Sequence, residues 1–258
     1  MRNRLSHCFG VDHRRLASAL VLALVLTPAP ARAIIGGAID NGPASAATIM
    51  VLGSGGAVCS GVVVSPRAVL TAAHCADPTR EHRVHYMENG QPVLLTPAAS
   101  VTHPEYVKDA IRQRRQSVDL ALVKLAQPLP SRFAPAPLSV GPQPRAGATV
   151  SVGGYGSVGR QPADGRFRSV AAPVVEPWGP GKILLWIGAP KGKSAGACAG
   201  DSGGPITAAD GEIVAVTSWS KGAGSTPCGQ TTQGVLLAPQ RNWIDETLAG
   251  WGLSAGWR

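Results

Sequence analysis

Three short stretches hold the side chains whose types could do chemistry together. Gly200-Asp201-Ser202-Gly203-Gly204-Pro205 sets a hydroxyl among glycines, and Thr71-Ala72-Ala73-His74-Cys75 sets an imidazole beside a cysteine. Ser117-Val118-Asp119-Leu120-Ala121-Leu122 sets a carboxylate ahead of an apolar run. Glycines around a serine let the backbone turn tightly, point successive N–H groups into one concavity and leave the hydroxyl accessible. Such a stretch is equally a plain turn, so the serine needs partners before it counts as a nucleophile. His74 is the candidate base, held rigid if Cys75 is disulfide-bonded. A charge at Asp119 is costly beside so apolar a strand unless it accepts hydrogen bonds, and an imidazole N–H would satisfy it. Hydroxyl, base and orienting carboxylate are the parts of nucleophilic acyl transfer. His82, His85 and His103 read instead as surface or satisfied core histidines.

Positioning these groups falls to short strands. The chain of 258 residues has 32 Gly, 22 Pro, 15% charged and 44% hydrophobic residues, a composition that suits many strands joined by turns. Strand-length apolar runs recur at Ile49–Leu52, Val62–Val64, Ala68–Leu70, Leu120–Leu125, Val150–Val152, Val174–Val175, Ile183–Ile187, Ile213–Val216 and Val235–Leu237. Between Gln127 and Gly147, prolines 128, 130, 135, 137, 142 and 144 deny backbone donors and favour an extended linker between two halves. Only the tail from Gln240 to about Ala249, with Trp243, Ile244 and Leu248 at helical spacing, predicts a helix.

The opening residues pass from a basic stretch into the apolar run Leu16–Leu26 and end in Ala31-Arg32-Ala33, the small-x-small form of a signal-peptidase site. The run is too short to span a bilayer as a helix, which favours a secretory signal peptide over a membrane anchor. Formal charge is +9, but Arg2, Arg4, Arg14, Arg15 and Arg32 against Asp12 place about +4 of it in this segment. No dense basic tract with interleaved aromatics remains, so nucleic acid is not an expected partner. With Cys8 in the leader, Cys59, Cys75, Cys198 and Cys228 remain for an oxidising compartment, where two disulfides are the economical reading. Metal binding is the competing one, without a Cys-x-x-Cys pair to support it.

Taken in His74, Asp119, Ser202 order, the three motifs resemble the chymotrypsin/trypsin family of serine proteases across the chain from Ile34 to the tail. The resemblance implies an all-β fold, two six-stranded antiparallel β-barrels with a C-terminal α-helix. The expected layout is a signal peptide at 1–33, a first barrel at 34–137 carrying His74 and Asp119, a second at 138–239 carrying Ser202, and a helix and tail at 240–258. It implies that His74 takes the Ser202 proton, that Asp119 orients His74, and that the Gly200 and Ser202 N–H groups form an oxyanion hole. Ser218 falls at the position whose hydroxyl contacts the carboxylate. Cys59 with Cys75, and Cys198 with Cys228, fall where the family has disulfides; a third family bridge has no cysteines here. Ile34-Ile35-Gly36-Gly37 matches the new N-terminus of activated family members, whose ammonium pairs with the aspartate before the nucleophile, here Asp201. Because Ala33 also completes the signal-peptidase motif, export itself is expected to expose Ile34; cleavage a few residues earlier is the alternative.

Specificity is read from the same resemblance. The pocket floor falls on Gly196, followed by Ala197, and the wall on Ser218, Trp219, Ser220 and Gly234. An uncharged floor favours an apolar or aromatic residue before the cut (P1), although the long stretch Trp219–Cys228, Ser220 in place of a common glycine, and nearby Lys191 and Lys193 leave acidic preference open. Ile111–Gln116, with Arg112, Arg114 and Arg115, reads as a solvated surface loop bordering the cleft, or as one that attracts acidic substrates. The expected enzyme is a secreted, monomeric serine endopeptidase without cofactor or metal. Its partners are protein or peptide substrates and proteinaceous inhibitors, and no membrane contact follows signal removal. A catalytically silent binding module and an esterase for small acyl esters are the rival functions.

Overall fold

The computed structural model describes residues 34–258 except 114, 158–162, 177, 178, 180 and 225, with no side chain described at 111. The expected signal peptide at 1–33 with Cys8, and Arg114 of the basic loop, therefore lie outside the described residues. Two curled antiparallel sheets carry the structure, both closer to the expected barrels than to flat layers.

The first sheet contains β2 (Thr48–Gly53), β3 (Ala57–Ser65), β4 (Ala68–Thr71), β5 (His82–Glu88), β6 (Gln91–Leu95), β7 (Pro97–Thr102) and β8 (Ala121–Leu125), in the order β6-β5-β2-β3-β4-β8-β7. A 2.8 Å hydrogen bond between His82 Nε2 and Ser100 Oγ ties β5 to β7 where the sheet curls back on itself. The second contains β1 (Ala38–Ile39), β9 (Thr149–Gly154), β10 (Arg168–Val175), β11 (Leu184–Gly188), β12 (Pro205–Thr207), β13 (Ile213–Lys221) and β14 (Thr231–Leu236). Pairing of β9 with both β12 and β10 closes six of these strands into a ring, and β1 adds a seventh along β10. Each sheet thus has seven strands where six were expected. The surplus comes from the N-terminal segment docking on β10 and from the polar 82–102 region, whose mixed sequence carries no apolar run to announce three strands.

Short helices α1 (Pro43–Ala46) and α2 (Ala110–Gln113) decorate the first half, and α3 (Arg241–Gly250) ends the chain as the 240–249 pattern predicts. Ile244 and Leu248 of α3 are fully buried in a cluster that joins Val62, Leu70 and Leu122 of the first sheet to Val216 and Val235 of the second. Burying a Leu or Ile side chain contributes roughly 1.5–3 kcal/mol, so this shared cluster welds the sheets together and fixes the cleft between them. The proline-rich connection runs extended across both, with Ala136 N–H donating to Val63 O at 2.8 Å and Ser139 N–H to Ile213 O at 3.0 Å.

Candidate active site

Strand pairing brings the first two chemical groups together. β4 and β8 are neighbours with Thr71 opposite Ala121, so His74, just past β4, and Asp119, just before β8, emerge at the same end of the sheet. His74 Nδ1 lies 2.8 Å from Asp119 Oδ2, and the His74 backbone N–H donates to Asp119 Oδ1 at 3.0 Å. Ser218 Oγ donates to Asp119 Oδ2 at 2.6 Å from β13 of the second sheet. Burial alone would raise the Asp119 pKa, but these bonds and the His74 charge outweigh it and hold the carboxyl below its usual range. For His74, burial pulls the pKa down, and the Asp119 hydrogen bond and charge more than reverse it, leaving it raised. The imidazole side chain is still 40% exposed, open to the cleft. Cys59, His74 and Cys75 also bring ligand-type atoms together, but both sulfurs are joined in the Cys59–Cys75 disulfide, which leaves a single ligand.

Ser202 sits on a turn braced from several sides. Gly200 has φ 96°, and a Cβ there would lie 2.7 Å from Gly156 Cα, so only glycine fits. Gly203 N–H donates to Thr217 O at 2.7 Å and Gly204 N–H to Asp201 O at 2.9 Å. The Cys198–Cys228 disulfide fastens the approach to the turn. Asp201 is fully buried; its carboxylate accepts the Gly156 and Cys198 N–H groups at 2.8 Å each. Burial dominates its titration and pushes its pKa up to about 7. The nearest buried cation, Arg168, is committed to Asp164 through two 2.7 Å bonds.

The turn is also gripped by Ser60 of β3, a residue that no motif singled out. Its N–H donates to Ser202 O at 2.8 Å, its hydroxyl donates to Gly200 O at 3.1 Å, and that hydroxyl accepts the Tyr155 N–H at 2.9 Å. Because its partners are distant in sequence, only strand placement could reveal it.

A cleft of about 1300 Å³ runs between the sheets, and His74, Asp119, Ser202, Ser218, Trp219 and Ser220 all line it. Arg112 and Arg115 border it too, Arg112 paired with Asp109 at 2.9 Å. Gly196, Ala197 and Gly234 are buried and, unlike their neighbours Cys198 and Gln233, are not among the residues that line it; Ala197 N–H donates to Thr232 Oγ1 at 2.9 Å. Gln233 and Trp186 line the cleft although the sequence reading passed over them. They stand opposite each other on β14 and β11, with Trp219 of β13 next in the row. Strand alternation explains Gln233: the residue before Gly234 must face the other side of the sheet.

Ile34 is fully buried among Val152, Leu185, Ile187 and Ala197, and Ile35 pairs its backbone with Gly196 at 2.9 and 3.1 Å. The N-terminal segment is thereby docked against Gly196.

Known proteins agree with this architecture. Over 234 residues the chain is 29% identical to Kallikrein 1-related peptidase b27 of Mus musculus, covering 78% of this chain and 84% of that one. It is 30% identical over 214 residues to Trypsin-4 of Rattus norvegicus, covering 74% and 80%. A structure of neuropsin, a serine protease expressed in the limbic system of mouse brain, matches with TM-score 0.67 at 24% identity, covering 83% of this chain and 99% of that one. The Trypsin family model matches residues 34–244, so the chain belongs to the trypsin family of serine proteases and is a serine endopeptidase.

Proposed function

We propose that this endopeptidase cuts peptide bonds through an acyl-enzyme on Ser202, with His74 as general base and then acid, and Asp119 as its orienting carboxylate. One observation carries the reading: an imidazole fixed by Asp119 at 2.8 Å opens onto the cleft that Ser202 also lines. Gly200 and Ser202 N–H groups receive the oxyanion. An irreversible fluorophosphonate should label Ser202 in a peptide map and abolish hydrolysis of a peptide library; labelling elsewhere would overturn the assignment. Peptide against ester turnover separates an endopeptidase from an esterase.

The P1 side chain is apolar or aromatic in this reading. Of the cleft-lining carboxylates among the described residues, Asp119 is held by His74 and Ser218, and Asp109 by Arg112. A P1 lysine or arginine therefore lacks a free partner, and Gly196 supplies none. Arg115 has no carboxylate partner among the described residues and lines the same cleft, which favours acidic side chains elsewhere in the peptide.

Activation follows from the N-terminus. Ile34 has φ 51°, a conformation that a β-branched residue avoids while a carbonyl precedes it. Cleavage after Ala33 removes that carbonyl and supplies an ammonium for Asp201, whose buried carboxylate has no ion-pair partner among the described residues. Signal peptidase is the enzyme proposed to make this cut during secretion. Among the described residues no helix is long and apolar enough to cross a membrane. N-terminal sequencing of the active protein tests the proposal, which requires a start at Ile34.

A further inference from the structure

We infer that Ser60 is a positioning residue for the oxyanion hole, clamping the Gly200 turn from the opposite sheet. The inference rests on the proposed roles of Ser202 and Gly200. Gly200 lacks a side chain and has φ 96°, so its own sterics fix neither of the peptide planes that meet at its Cα. Both are held from outside. Ala199 O accepts the Ser157 N–H, and in a trans peptide this turns the Gly200 N–H away from Ser157. On the other side of the Cα, Gly200 O accepts the Ser60 hydroxyl at 3.1 Å. That hydroxyl cannot rotate freely, because its oxygen also accepts the Tyr155 N–H at 2.9 Å.

Ser60 is itself immobile. It is fully buried, its N–H is spent on Ser202 O, and its carbonyl accepts the Thr71 hydroxyl at 2.7 Å. It also follows Cys59, whose disulfide partner Cys75 adjoins His74. One residue of the His74-bearing sheet thus fixes the backbone that must present donors beside Ser202. An oxyanion hole acts through donors already aimed at the developing charge, so slack in this turn costs transition-state stabilisation and leaves ground-state binding alone.

The test compares Ser60→Ala and Ser60→Gly with the parent enzyme, all rates referred to titrated active sites so that a partly folded preparation is still readable. A peptide aldehyde places an oxyanion in the hole when it adds to Ser202, whereas the matching peptide amide binds without one. Loss of the hydroxyl should lower kcat and aldehyde affinity together by about two- to tenfold, the range of one hydrogen bond, with KM and amide affinity unchanged. Unchanged kcat and aldehyde affinity would overturn the inference, as would an equal fall in amide affinity, which signals general loosening. Failure of the parent enzyme to form the aldehyde adduct at Ser202 would instead remove the nucleophile assignment beneath it.

Discussion

At Asp119 the carboxylate accepts bonds from a backbone N–H, an imidazole and a hydroxyl, which leaves it little freedom in place or charge. Asp119→Asn keeps the shape and loses the charge, and in a triad of this kind kcat should fall on the order of 10⁴-fold. Pre-steady-state kinetics would show acylation, not binding, as the step affected. On the proposed mechanism the same pair sets the acid limb of the pH profile. Its raised pKa means that His74 is protonated, and idle as a base, at pH values where an ordinary histidine near 6.5 is already neutral. Activity should therefore fall on acidification from a higher pH than that reference, and Asp119→Asn should move the limb downward. The stabilisation linked to His74 has the opposite sense: full below the unfolded histidine pKa, it is lost as pH rises through the folded one, while that linked to the lowered Asp119 pKa is lost as pH falls through the carboxylate range. A third outcome belongs to Gly196. A Cβ there would lie 2.6 Å from Thr232 Oγ1 on a backbone with φ 150°, so Gly196→Asp should lower Tm without creating cleavage after lysine or arginine. Efficient trypsin-like turnover in that variant would refute the steric account.

Elements transmit these residue-scale demands. The Cys59–Cys75 bridge spans 16 residues and ties β3 to the turn that carries His74. Loop-closure entropy for that span is about 3 kcal/mol, so replacing both cysteines by serine should cost about that much in denaturant unfolding. Activity near His74 should suffer with it. Basic residues after β7 form a lobe pinned at its base, where Val107 N–H donates to Ser117 Oγ at 2.8 Å, and higher up, where Arg115 N–H donates to Ala110 O at 2.9 Å. Read from its sequence as a solvated surface loop bordering the cleft, it has Arg112 and Arg115 both exposed and lining that cleft. Exposed charge pairs contribute about 0.2–1 kcal/mol, so Arg115→Glu should change the ratio of acidic to neutral peptide turnover by about two- to fivefold at low salt. Loss of that difference in high salt marks it as electrostatic; identical ratios in both proteins at low salt would rule it out.

At the scale of the whole molecule, the proposed activation ties folding to activity at Asp201. With residues still ahead of Ile34, its carboxyl is pushed up to about 7, so the folded chain holds this proton more tightly than the unfolded one. Stability must then fall as pH rises from the ordinary carboxylate range towards 7. An ammonium at Ile34 removes that penalty. Calorimetry of a chain starting at Ile34 and of one extended by a few residues should therefore show Tm values that diverge between pH 5 and 7.5. Only the first should be fully active. Equal pH dependence in the two would sink the pairing of Ile34 with Asp201.

Much of the candidate site was legible from residues alone because its chemistry needs rare types in fixed local settings. A serine among glycines, a histidine beside a cysteine and an aspartate before an apolar strand announce themselves within six residues each. Apolar runs likewise marked most strands, and helical spacing marked α3, since burial imposes a period on sequence. Strands of mixed polarity, such as β5 with His82, Arg83 and His85, left no such trace. What tertiary structure alone decided are the relations across the sheets. Ser60 reaches Gly200, Gln233 and Trp186 reach the cleft, and Asp201 gains the Gly156 N–H only once segments far apart in sequence are brought together. Local sequence encodes which groups are present and how the backbone bends near them; register and sheet packing decide which of them meet.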